Sequence, residues 1–127
     1  MHSVTGAVRM ILRLEGLAAL AVSVAVYAYW GQHGWGFFAL LFLVPDVSLL
    51  GYLRGPRVGA AVYNLAHTYV VPAVLGIAGV LWLGPFFAIA LIWSAHIGLD
   101  RMLGYGLKLP TAFQTTHLGP IGRALTE

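Results

Sequence analysis

Of the four acidic residues in this chain, three, Glu15, Asp46 and Asp100, stand inside long apolar runs. A carboxylate at the centre of a bilayer costs roughly 2.5–3.5 kcal/mol by insertion scales, so each needs a polar partner or a wet cavity. The same runs hold Tyr63, Asn64, His67 and His96. Asn64 and His67 are three apart, Tyr63 and His67 four, and His96 and Asp100 four, so each pair shares one face of a helix. Carboxylic acids in apolar surroundings act as general acids and imidazoles as bases. The candidate catalytic set is therefore Asp46, His67, His96 and Asp100, with Asp100 orienting His96 in the manner of a carboxylate that fixes a histidine tautomer. Glu15, Tyr63, Asn64 and His117 are candidates for contacting a substrate, His117 by closing the chamber from the tail. His67, His96 and Asp46 are also a donor set suited to a divalent metal such as zinc, iron or manganese in a helical bundle. The same residues have a plainer use: His and Asn bond between membrane helices, and Glu15 and Asp100 are placed to pair with arginines such as Arg13 or Arg101.

The elements that must position these groups are apolar helices. The 127 residues are 60% hydrophobic and 9% charged, with a mean hydropathy of +0.85, far from the roughly 25% charge of a soluble domain. Apolar runs extend over residues 11–30, 35–53, 58–83 and 86–107, each near the roughly 20 residues that cross a bilayer. Gly31-Gln32-His33-Gly34, Arg54-Gly55-Pro56-Arg57 and Gly84-Pro85 separate them as turns, and Pro72 predicts a kink inside the third. The expected fold is all-α, an integral membrane bundle of four transmembrane helices over residues 1–107. A cytoplasmic or interfacial tail follows over 108–127, with a short interfacial helix starting near Pro110.

The seven basic residues, Arg9, Arg13, Arg54, Arg57, Arg101, Lys108 and Arg123, fall on one side of this arrangement. The excess of cations in cytoplasmic loops makes that side the inner one, in a cell membrane, with both termini inside. Trp30, Trp35 and Trp82 mark the opposite ends, where indoles prefer the headgroup level. Counted from the basic ends at about 1.5 Å per residue, Asp46 and Asp100 lie about 12 Å deep, Asn64 about 10 Å, His67 about 15 Å and His96 about 18 Å. A cleavable leader over residues 1–28 fits less well, because that apolar stretch is long and carries Glu15. The absence of cysteine removes disulfides, thiolate metal sites and cysteine nucleophiles. The spread of the basic residues speaks against nucleic acid as a partner. Membrane lipids are the expected surroundings, and homo-oligomers are left open.

Four segments carry a family resemblance: Pro45-Asp46-Val47-Ser48-Leu49-Leu50-Gly51-Tyr52, Tyr63-Asn64-Leu65-Ala66-His67-Thr68-Tyr69, His96-Ile97-Gly98-Leu99-Asp100-Arg101 with Gly104-Tyr105-Gly106-Leu107-Lys108, and Thr116-His117-Leu118-Gly119. In these the chain resembles the small membrane proteins grouped as domain of unknown function number 4260. The resemblance covers nearly the whole chain, implies a four-span membrane protein and assigns no reaction. Three classes of function therefore stand: an enzyme using acid–base or metal-assisted chemistry on a lipid-like substrate, a proton or small-ion transporter, and a non-catalytic membrane subunit. No serine-nucleophile or HExxH pattern narrows the reaction. A haem between His67 and His96 is disfavoured by the neighbouring carboxylates.

Overall fold

The computed structural model describes residues 6–30, 33–82, 85–107, 115–116 and 119–120. His117, Lys108, Arg123 and most of the tail lie outside these. The architecture is all-helical: α1 (Gly6–Trp30), α2 (Gly34–Phe42), a 3₁₀ helix (Val44–Arg54), α3 (Pro56–Ala66), α4 (Val70–Trp82) and α5 (Phe86–Leu103). In the tail, Thr115–Thr116 and Gly119–Pro120 form a two-residue antiparallel ladder; the interfacial helix expected to start near Pro110 begins outside the described residues. Three helical stretches, Gly6–Trp30, Gly34–Arg54 and Pro56–Leu81, are long and apolar enough to cross a membrane.

Helix α5 is the hub, packed against α1, α2 and α4. Half of its buried residues are small (Ala88, Ala90, Ala95, Gly98), and the others are Ile92, His96, Ile97 and Arg101. Small residues let helix backbones approach closely where lipid removes the usual hydrophobic drive between helices. The α1–α5 seam depends on this. A Cβ on Gly16 would sit 2.8 Å from the Gly98 carbonyl, and one on Gly98 would sit 2.7 Å from the Gly16 carbonyl. Arg13 closes the end of the same seam, its Nε donating to the Met102 carbonyl at 2.8 Å. At the other end, the Tyr27 hydroxyl donates to the Gly34 carbonyl at 2.6 Å, and its ring packs on Trp35 and Phe38.

Two of the expected spans are broken, the second unexpectedly and the third near the kink that Pro72 predicts. The second changes from α to 3₁₀ winding at Leu43, with Pro45 in the first turn of the new segment. Proline has no N–H to donate, and Ser48 ties the segment down by donating from Oγ to the Pro45 carbonyl at 2.7 Å. The third span stops at His67, the C-cap of α3, and resumes at Val70. Pro72 supplies part of the reason, since it cannot bond the Thr68 carbonyl four residues back. The fourth helix ends at Leu103, with Gly104 left-handed (φ 92°) and bonded to the Arg101 carbonyl. The Tyr105 N–H reaches the Asp100 carbonyl at 2.7 Å, which completes a Schellman cap.

Candidate functional site

Both helix breaks serve the same purpose. In a continuous α-helix the Asp46 N–H would bond the Phe42 carbonyl, and the His67 N–H would bond the Tyr63 carbonyl. Each N–H instead turns to the residue three back, Asp46 to Leu43 and His67 to Asn64, both at 3.2 Å. The two released carbonyls are taken by imidazoles: His96 Nδ1 lies 2.6 Å from the Phe42 oxygen, and His67 Nδ1 lies 2.9 Å from the Tyr63 oxygen.

A backbone carbonyl can only accept, so each Nδ1 must carry the hydrogen. In the neutral ring the lone pair is then on Nε2, and the two Nε2 atoms face each other at 3.2 Å. Two carboxylates complete the cluster. Asp46 Oδ1 is 3.3 Å from His67 Nε2 and 3.2 Å from His96 Nε2. Asp100 Oδ2 is 3.5 Å from the first and 3.3 Å from the second. All four atoms lie within 4.8 Å of one another.

The rings are firmly seated. His67 is fully buried, with Tyr63 stacked on it at 3.7 Å between centroids, and the Phe42 ring meets His96 edge-on at 5.0 Å. The carboxylates are unequal: the Asp46 side chain is 48% exposed and that of Asp100 15%. Asp46 is the open side. Next to it lies a pocket of about 340 Å³ lined mainly by Leu41, Val44, Pro45, Val47, Ile89 and Trp93. Its lining includes Pro45 and Val47, the sequence neighbours of Asp46, and Ala66, that of His67.

Arg101 does not extend to a membrane surface. It is 8% exposed, and its Nη2 donates to the His67 carbonyl at 2.8 Å while Nη1 donates to the Tyr105 carbonyl at 3.2 Å. The Trp93 indole N–H donates to the Ala66 carbonyl. Residues 66 and 67 are where α3 stops, so α5 supplies the donors that the break removed. Neither role is visible in residue spacing.

Of the sequence-derived candidates, Asp46, His67, His96 and Asp100 converge, and Tyr63 stacks against them. Asn64 is half-buried one turn before His67, and Glu15 is exposed on α1. Asp100 meets His96, as the shared helix face predicts. It approaches Nε2 of His96, whereas the Phe42 carbonyl orients that ring through Nδ1. His117 lies outside the described residues.

The family described as Domain of unknown function (DUF4260) matches residues 9–121. No curated protein and no solved structure matches the chain.

Proposed function

We propose that this chain, which belongs to the family described as Domain of unknown function (DUF4260), is a membrane-embedded enzyme acting on a lipid-like substrate by acid–base or metal-assisted chemistry. The observation that carries this reading is the junction of the two environments, a buried His–Asp cluster with one exposed carboxylate, Asp46, whose sequence neighbours Pro45 and Val47 line an apolar pocket. Pockets of a few hundred Å³ with apolar walls and a few convergent polar groups are the usual form of a small-molecule site.

Membrane insertion is supported by the exterior. Val22, Leu40, Leu50, Leu65, Val74 and Ile77 are each more than 60% exposed, an apolar surface far larger than a soluble monomer tolerates. The positions of Arg54 and Arg57 between the second and third spans support the N-in, C-in orientation. A lipid head brought to Asp46 by a chain lying along Val44 and Val47 would meet the cluster without leaving the bilayer. His67 and His96 hold the site's shape and electron pairs, and Asp46 faces the incoming molecule.

The test is to incorporate the purified protein into liposomes of a total polar lipid extract and follow the lipids by mass spectrometry. The expected outcome is time-dependent conversion of at least one lipid class, lost in Asp46→Asn. Identical lipid profiles for the protein, the variant and empty liposomes would refute the enzymatic reading.

A further inference from the structure

We infer that Asp46, His67, His96 and Asp100 form a tetrahedral N₂O₂ site for one divalent cation of the zinc type, bound through His67 Nε2, His96 Nε2, Asp46 Oδ1 and Asp100 Oδ2. The argument begins with hydrogen positions. Because both Nδ1–H groups are committed to carbonyls, the four converging atoms are all acceptors, and four acceptors at 3.2–3.5 Å repel unless an electrophile sits between them. Protons balance the cluster less well. A single imidazolium can donate its Nε2–H within the cluster but leaves a net negative charge against two carboxylates, and two imidazolium rings would direct their Nε2–H groups at each other across 3.2 Å.

A divalent cation resolves both problems. Its charge balances two carboxylates, leaving a neutral centre that burial tolerates. Bonds of about 2.0–2.2 Å to nitrogen and oxygen give a tetrahedron with edges of about 3.3–3.6 Å. The five separations across the cluster that involve a histidine are 3.2, 3.2, 3.3, 3.3 and 3.5 Å; the sixth, between the two carboxylates, is within 4.8 Å and closes to a tetrahedral edge by rotation of the exposed Asp46 side chain. Metal-binding histidines characteristically donate their other N–H to a carbonyl or carboxylate, and both rings here do so. Two imidazoles with four-fold coordination select against magnesium and calcium, which require six or more oxygens. The half-exposed Asp46 provides the way in and the ligand most readily exchanged for another oxygen.

This inference rests on the cluster's geometry and stands independently of the catalytic reading. The test uses the full chain in detergent, stripped with a chelator and titrated with Co²⁺. One equivalent per chain should produce the intense visible absorption of tetrahedral cobalt, displaced by Zn²⁺ and not by Mg²⁺. Asp46→Asn and Asp100→Asn should each weaken binding at least about tenfold. X-ray absorption of the Zn²⁺-loaded natural protein should read four light ligands, two of them imidazole, and requires no variant to fold. Absence of a saturable cobalt band, a six-coordinate spectrum, or binding indifferent to both substitutions overturns the site. Metal binding without lipid conversion removes only the enzymatic reading, and lipid conversion that survives chelation removes only the metal.

Discussion

Arg101 illustrates how a residue's type can be plain while its task is not. An arginine near the end of an apolar run reads as a cation held at the membrane surface, yet it is buried and bonded to two carbonyls. Arg101→Met strips a charged donor from the buried His67 carbonyl and should cost about 1–3 kcal/mol. Arg101→Lys should fall between, because an ammonium cannot span two carbonyls in the fixed fork of a guanidinium. Denaturant unfolding in detergent micelles measures both. If Arg101→Met unfolds with the natural protein, the carbonyl is satisfied in another way. Asp46, His67, His96 and Asp100 were recognisable by type and apolar context. That Asp100 joins the cluster on the Nε2 side was not, since a four-residue spacing fixes a face and leaves the side-chain rotamer free.

At the scale of elements, the breaks in the second and third spans make the site. An unbroken helix commits the Phe42 and Tyr63 carbonyls to its own ladder and leaves neither for an imidazole. Pro72 was legible as a kink. The site of the interruption, at residues 67–69, was not, because it depends on donors from Trp93 and Arg101 on another helix. Pro72→Ala restores an N–H for the Thr68 carbonyl and relieves a proline penalty of up to about 3 kcal/mol in a continuous helix. It should leave the protein at least as stable to heat while lowering Co²⁺ affinity at least about tenfold, because a straightened span turns His67 out of the cluster. Undiminished cobalt binding would show that the break survives without the proline.

Across the whole molecule, the polar interior and apolar exterior are divided unusually sharply. Helix α5 carries two of the four cluster residues and is enclosed by its neighbours, while the outer faces of α1, α2 and α4 present aliphatic side chains. The orientation can be read directly because the natural chain has no cysteine. In intact cells, a single cysteine at Arg57 should resist a membrane-impermeant maleimide, and one at His33 should be labelled. The reverse pattern would invert the topology. Gly16→Val bears on the same scale. The added side chain would run into the Arg101 Cβ, the Met102 nitrogen and the Gly98 carbonyl and should destabilise the α1–α5 seam by about 1–3 kcal/mol, read as a lower unfolding midpoint.

The sequence by itself determined the long apolar runs and the scarce polar groups within them. Hydropathy is additive along the chain, so the long apolar runs, and the cost of every carboxylate and imidazole inside them, can be counted without a structure. Family membership was legible from the same segments that hold those groups. The tertiary structure alone decided that two helices break, that the freed carbonyls fix both imidazole tautomers, and that four lone-pair atoms from three helical stretches meet. Those outcomes depend on hydrogen-bond register and on donors from helices distant in sequence, which no local pattern encodes.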